Sequence, residues 1–387
     1  MALFDRQMEL VTEDDLLSLV EDQVREGYQI EYKQTVAFKD KQDKLDFLAG
    51  VTSFANTVGG DFLIGITASS GIPVSVPGWD GIDVDQEKQR IEHLLRDQVE
   101  PRLTCTIREI RLANGKSVVL IRVPWSWAQP HMVSMDQVNR FYYRHSAGKD
   151  LMNVTQLRAA FALTTRLHEQ IVRFRDERIN ALKSGSDGHL APPPGPTVVV
   201  HVVPFESFRS GFALDLESAM KQAQGGLLPL GTGSNGHVYT LDGIFIFDER
   251  PKCNAYTQVF RNGTIETTSR NLLLHPNGKK LIPCGAVPRD VLESVRSAIR
   301  FYQRLNITPP VSVMMSILGV QGFEFATSTE FRAGYYTHRV DRDDLILPST
   351  IVQDFTTPAV EVCRPLFDAL FNAAGFPKWP ADEDYRR

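Results

Sequence analysis

Long apolar runs are missing from this chain of 387 residues. No segment approaches the roughly 18–20 consecutive apolar residues that a membrane span needs, so no membrane partner is expected. Cysteine is scarce: Cys105, Cys253, Cys284 and Cys363 are far apart, with no Cys-x-x-Cys pair and no histidine at zinc-finger spacing. That pattern excludes a disulfide framework, argues against zinc and points to a reducing compartment. The start, Met1-Ala2-Leu3-Phe4-Asp5-Arg6, has neither the basic opening nor the apolar core of a secretory leader; a cytoplasmic protein is the expectation. A basic excess is absent as well. The formal net charge is −5, whereas a non-specific nucleic-acid coat is basic throughout. Nucleic-acid contacts would therefore need a local basic face. His201, His237, His275 and His338 share no metal-ligand spacing and read as packed or surface histidines.

What is present is a globular composition, 42% hydrophobic and 23% charged, over a length that suggests two domains. Thr12 followed by three acids marks a helix start, and Leu16, Leu17, Leu19 and Val20 supply its apolar stripe. Tyr28 to Thr35 alternates as a strand, with Glu31 and Lys33 on one face and Tyr28, Ile30 and Tyr32 on the other. An amphipathic helix follows over about Gln42–Val58, with Leu45, Leu48, Ala49, Thr52 and Ala55 on one face. Gly59-Gly60 reads as its C-cap, and a buried strand runs from Asp61 to Thr67. A helix over Asp85–Gln98 and strands Thr104–Leu112 and Ser117–Val123, joined through Asn114-Gly115, come next; Asn-Gly between alternating strands signals a hairpin. Arg140-Phe141-Tyr142-Tyr143-Arg144 interleaves arginines with aromatics on a strand leading to Ser146-Ala147-Gly148-Lys149. Such a strand is either a platform for nucleic-acid backbone and bases or an edge strand whose rings are core. Val154–Lys183 is a long helix whose arginines alternate with acids, as on a solvated charged face.

Residues 184–196, SGSDGHLAPPPGP, form a linker of small residues and prolines. The expected organisation is thus a first domain over 1–183 and a second α+β domain over 197–387. The second domain reads as strand Thr197–Val203, a helix at Ala213–Gln224, four short strands with a hairpin across Asn262-Gly263, a helix over Arg289–Leu305, strand Val311–Leu318 and a last helix over Pro358–Ala374. Gly231-Thr232-Gly233-Ser234-Asn235-Gly236 matches the GxGxxG spelling. A phosphate cradle needs a helix N-terminus after such a loop, and His237-Val238-Tyr239-Thr240 reads as strand, so the loop is expected to be a turn.

Glu31-Tyr32-Lys33, then Phe54-Ala55-Asn56-Thr57-Val58-Gly59-Gly60, then Leu63-Ile64-Gly65-Ile66, together resemble the Schlafen-type Alba-like domain. Val123-Pro124, Pro130-His131 and Tyr143-Arg144 with Ser146-Ala147-Gly148-Lys149 fit the end of the same domain, so the resemblance covers about residues 15–165. It implies an α+β, mixed-sheet nucleic-acid-binding fold, with DNA or RNA as partner along a groove lined by Lys33, Asn56, Arg140, Tyr143, Arg144 and Lys149. Animal Schlafens are also endoribonucleases that cut tRNA and rRNA with a metal-binding acidic trio. Two of those acids are similar to Glu26 and Glu31, which would hold Mg²⁺ or Mn²⁺, with Lys33 beside them as a third catalytic residue. The position of the third acid is occupied by Thr67-Ala68; Asp61 is too far along the strand to replace it, and nothing in the sequence places Asp80, Asp83 or Asp85 there. Because such enzymes bind substrate between two related lobes and one is recognisable here, a homodimer or higher homo-oligomer is expected. A non-enzymatic DNA-binding regulator or sensor, and an ATP-binding protein relying on the Gly231 loop, are the alternatives.

Overall fold

The computed structural model describes residues 3–6, 8–36, 38, 40–81, 83–135, 138–146, 148–185, 195–208, 212–249, 253–273, 278–326 and 339–380. Ala147, His275, His338 and residues 186–194 of the proline-rich segment lie outside them. The chain divides into two compact units, Met1–Arg166 and Leu167–Arg387. The division falls inside the long helix, ahead of the proline-rich segment. The α+β class expected from sequence holds in both units.

In the first unit, helix α1 (Glu13–Glu21) starts where the Asp15 carboxylate accepts the Thr12 amide at 2.8 Å. Strand β1 (Ile30–Lys33), helix α2 (Lys41–Ala55) and strand β2 (Gly60–Ile64) form a crossover in which β1 and β2 are parallel. A short hairpin, β3 (Thr67–Ser69) and β4 (Ile72–Ser75), precedes helix α3 (Val84–Gln98), whose first turn is capped by Asp83. Strands β5 (Val99–Glu100), β6 (Thr106–Arg111), β7 (Ser117–Val123), β8 (Met132–Met135), β9 (Val138–His145) and β10 (Gly148–Leu151) follow. They complete two four-stranded sheets, ordered β1-β2-β7-β6 and β10-β9-β8-β5.

Helix α2 is the centre of this unit. Every residue from Phe47 to Ala55 is buried, because the helix packs on β2 and β7 of one sheet and on β8 and β9 of the other. The expected one-sided apolar stripe is therefore corrected to burial all round, the signature of a helix enclosed on all sides. The chain leaves α2 through Gly59 in the left-handed region (φ +78) and enters β2 at Gly60. A Cβ at Gly60 would stand 2.3 Å from the Phe54 ring. The Asn-Thr-Val-Gly-Gly turn thus needs its second glycine for packing as well as its first for backbone conformation. The opposite face of the first sheet, with Ile30, Tyr32 and Leu63, is covered by α1 and the N-terminal segment.

Helix α4 (Val154–Ser184) runs across the division. The second unit is built on strands β11 (Thr197–Pro204), β12 (Gly236–Tyr239), β13 (Gly243–Phe247), β14 (Ala255–Phe260) and β15 (Ile265–Ser269), with helix α5 (Leu216–Gln224) between the first two. Strand β16 (Leu281–Pro283), helix α6 (Ala286–Arg304), strands β17 (Val311–Leu318), β18 (Glu324–Ala326), β19 (Leu345–Ile346) and β20 (Thr350–Val352), and helix α7 (Ala359–Asn372) complete it. The main sheet is antiparallel, ordered β12-β13-β14-β15-β11-β17-β19, with β20 also on β17. Helices α5, α6 and α7 cover one face. The end of α4 covers the other through Ile179 and Leu182.

That helix also corrects an expectation. The alternation of its charges predicts a solvated face, and Arg173–Glu177 is such a pair. Arg178 instead turns onto the sheet, where its Nη2 and Nε donate to the fully buried Glu266 carboxylate at 2.8 and 2.9 Å. His201 Nε2 and the Tyr256 hydroxyl complete the set at 2.9 and 2.6 Å. The paired donors overcome burial and hold the Glu266 carboxyl far below the usual carboxylate range.

Candidate nucleic-acid interface

Strand β1 presents Glu31 and Lys33 to the α2 side and Tyr32 to the other, as its alternation requires. Glu31 is 5% exposed. Its Oε2 accepts from Arg144 Nη1 at 2.6 Å and its Oε1 from Lys149 Nζ at 3.0 Å, both from the β9–β10 hairpin. Lys33 Nζ stands 4.0 Å from the same Oε1. Asp46, on α2, joins the cluster by accepting from Lys33 at 2.8 Å and Lys149 at 2.9 Å. Burial works against the Asp46 carboxylate, but Lys149 and Lys33 outweigh it and lower its pKa. Burial likewise opposes the Lys33 ammonium, and Asp46, Glu31 and Glu26 together raise it. The result is a linked set of ion pairs that ties β1, α2 and the β9–β10 hairpin together.

Arg144 is the least exposed member, with 2% of its side chain accessible. Its guanidinium lies 4.0 Å over the Phe54 ring and donates to the Gly27 carbonyl at 2.8 Å. Arg144 is thus a packed strut, and the expectation that it lines an open groove is corrected by its burial. Asn56 is corrected in the same way. Its Nδ2 donates to the carbonyls of His131 and Tyr142, and its Oδ1 accepts the His131 amide at 2.7 Å. Those bonds lock the end of α2 to β8 and β9 and leave Asn56 6% exposed.

The strand's period of two sorts the remaining residues. Arg140 pairs with Val133, and Lys149 with Arg144, on the α2 side of the second sheet. Phe141, Tyr143 and His145 point to the outer side and are half-buried. The Tyr143 and His145 rings stand 5.9 Å apart, and Phe141 meets Phe161 of α4 at 6.0 Å. The interleaved residues therefore divide between two surfaces: Arg140, Arg144 and the buried Tyr142 face the α2 side, and Phe141, Tyr143 and His145 face out.

Glu26 is placed differently from Glu31. Residues 29, 31 and 33 turn their backbone groups toward β2, so Tyr32 N–H points off the free edge of β1, where Glu26 Oε1 accepts it at 2.8 Å. Thr67, half-buried at the start of β3, stands at the expected third-acid position and offers a hydroxyl. Asp61 lies on the opposite face of the sheet from Glu31, fully buried against Arg122 at 2.8 Å; burial pushes its carboxyl up against the pull of that arginine. Asp83 caps α3, Asp80 pairs with Lys116 and Asp85 with Lys88. Among the described residues no group of three or more His, Cys, Asp or Glu side chains is placed to hold a metal ion. These residues do not fit Mg²⁺ or Mn²⁺: Glu31 is occupied by cations, Glu26 by a backbone amide, and the third ligand is a threonine.

Asp46 and Gly50 join the site from outside the residues that the sequence singles out, and His131 joins it from the Pro130-His131 motif. Asp46 was legible as a lone acid inside the apolar run Leu45-Asp46-Phe47-Leu48. Gly50 sits where a Cβ would be 2.9 Å from Phe62 and 3.0 Å from Glu31 Oε2, a tertiary constraint no local pattern carries. His131 is fully buried and its Nδ1 lies 2.7 Å from the Pro101 carbonyl; burial, against that bond, lowers its pKa.

The N-terminal domain of a RecG-related protein from Nitrosomonas europaea is similar over 38% of this chain and 95% of its own, at 21% identity and a TM-score of 0.29. A protein from Corynebacterium diphtheriae is similar over 36% of this chain and 27% of its own, at 14% identity and a TM-score of 0.24. No curated protein matches the chain. Among the described residues no helix is long and apolar enough to cross a membrane. Residues 26–153 match the Schlafen, AlbA_2 family model, a span that runs from Glu26 at the edge of β1 through Glu31, Asn56 and Arg144 to the end of β10. The Schlafen-type domain that the sequence resembles is thus matched by the Schlafen, AlbA_2 family model over residues 26–153, within the N-terminal unit.

Proposed function

We propose that the N-terminal unit binds single-stranded nucleic acid on the outer face of β8–β10 and does not cleave it. The family match supports nucleic acid as the partner. The observation that carries the finer reading is the sorting of β9, which puts Phe141, Tyr143 and His145 outward as a row of rings while Arg144 is consumed by Glu31. Stacked rings hold unpaired bases with little regard to sequence, and a duplex does not offer its base faces. Lys33 is 37% exposed but held by Asp46 on the α2 side, and the half-buried Arg140 supplies a cation at the rim.

Metal-dependent endoribonuclease action through Glu26, Glu31 and Lys33 is the competing version, and the occupied Glu31 argues against it. Fluorescence anisotropy of the purified chain with labelled oligo-U, oligo-dT and a hairpin duplex tests the proposal. Single strands should bind more tightly than the duplex, and Tyr143→Ala should weaken them by roughly 5–150-fold, the range of one lost base stack. Tyr143→Phe should keep the affinity. Equal binding by Tyr143→Ala, or preference for the duplex, overturns the placement. A homodimer presenting two such faces belongs to the same proposal; light scattering at micromolar concentration should return twice the chain mass.

A further inference from the structure

The GxGxxG loop of the second unit leads into a strand and not into a helix N-terminus, since β12 begins at Gly236. That strand ends the eight-stranded sheet, with β13 on one side and an open edge on the other. Thr240 and Gly243 exchange both backbone bonds at the hairpin turn. By alternation, residues 236, 238 and 240 therefore turn their backbone groups to β13. The N–H and C=O groups of His237 and Tyr239 turn outward, and among the described residues no hydrogen bond reaches them.

A bare edge of this kind is a template for another strand unless something blocks it. The other edges of this sheet and of the two four-stranded sheets are plugged, charged or short. The edge of β1 is plugged by Glu26 on the Tyr32 N–H, and by Gly27, whose N–H donates to the Ile30 carbonyl at 3.1 Å. Strand β6 carries Arg108, Glu109 and Arg111, and β10 carries Lys149 and Asp150. Strands β5 and β19 are two residues long and β20 is three. None of these devices protects β12. No Lys, Arg, Asp or Glu occurs from Gln222 to Leu241, and burial lowers the pKa of His237, which keeps its ring neutral. Apolar surface lies beside the open backbone: Tyr239 is 57% exposed and Leu241, at the hairpin tip, 87%.

The occupant that fits this edge is a second copy of the same strand. A charged partner finds no opposite charge on it, whereas two chains of formal net charge −5 approach each other most readily where their surfaces are neutral. We propose that two chains associate by antiparallel pairing of β12 with β12, about a two-fold axis at Val238. Under that axis His237 of each copy lies opposite Tyr239 of the other, and every outward N–H meets an outward C=O. The two rings then bear on each other on the face that β12 shares with Ile244 and Ile246. The eight-stranded sheet of one copy continues into that of the other. The pairing rests on the homodimer put forward above and names its surface; the ring face of the first unit takes no part in it.

Sedimentation equilibrium of the full chain across the micromolar range, joined to a cross-linking experiment, tests the pairing. Tyr239→Lys puts a charge on the edge and should raise the dimer dissociation constant roughly tenfold or more. Tyr239→Phe should leave it unchanged, and so should Ile346→Lys, at the opposite edge of the same sheet. Val238 meets its own copy at a non-hydrogen-bonded position, where Cα atoms stand about 4.5 Å apart, within the roughly 4.4–6.8 Å that a disulfide spans. Val238→Cys should therefore give a disulfide-linked dimer under mild oxidation, and the native chain, with its four cysteines, should not. A native chain that stays monomeric throughout overturns the pairing and the homodimer together. A dimer that Tyr239→Lys leaves intact and Val238→Cys does not cross-link overturns the pairing alone and leaves the homodimer standing.

Discussion

Glu31 shows how one side chain in this fold trades an open site for rigidity. A carboxylate 5% exposed loses most of its hydration, and Arg144 and Lys149 replace it with charge-assisted bonds. Removing one partner of such a pair leaves an uncompensated buried charge, so Arg144→Ala is expected to destabilise the protein by about 3–5 kcal/mol in urea unfolding. Arg144→Lys should recover little, since a lysine cannot stack on Phe54 and reach both Glu31 and Gly27. Gly50 supplies a second test. Alanine is the better helix former by about 1 kcal/mol, yet its Cβ would press on Phe62 and Glu31. Gly50→Ala should therefore lower stability by about 1–3 kcal/mol, the usual cost of overpacking; a gain in stability would contradict the packing described for Glu31.

At the scale of elements, the junction after α2 decides the geometry of the first unit. Asn56 bridges the helix end to β8 and β9 with three bonds, and Asn56→Ala would leave buried backbone groups unpaired at about 1–3 kcal/mol. His131, on the same junction, adds a pH dependence. Its pKa is lowered in the fold from the ordinary 6.5. The unfolded chain therefore takes up the proton first, and stability is full above about pH 6.5 and falls as the pH drops toward the folded value. Thermal melts should show the midpoint falling between pH 7.5 and 5.5, with less fall in His131→Gln. Much of this was legible in the sequence. Thr12, Asn114-Gly115 and the strand Val311–Leu318 follow local rules of capping, turn and alternation, and the Phe54–Gly60 turn carried the family resemblance. The pairing of Glu31 with Arg144 was not legible, because those residues lie 113 positions apart and no local period connects them. The separation of Arg144 from Tyr143 onto opposite faces was available from the strand period alone. Residue type alone leaves that strand open between a platform and an edge strand with its rings in the core.

Over the whole molecule, the net charge of −5 and the neutralised cluster around Glu31 imply a binding mode with few phosphate contacts. Single-strand affinity falls with log salt at a slope of about 0.7 per neutralised phosphate. With Lys33 held by Asp46, Arg140 at the rim should give a slope no steeper than about −1, shallow for a nucleic-acid binder. A slope steeper than about −4 would mean that a basic surface other than this one dominates. The central claim is that the first unit holds single strands without cutting them, and it is tested most directly by one measurement on one sample. A single-stranded RNA labelled at both ends is bound to the purified chain with Mn²⁺ present, and its anisotropy and its integrity on a denaturing gel are followed together. The expected result is saturable binding of an RNA that stays intact, with the Tyr143→Ala variant defective in binding. Cleavage that disappears in Glu31→Gln, or the absence of any single-strand binding at low salt, would contradict the account.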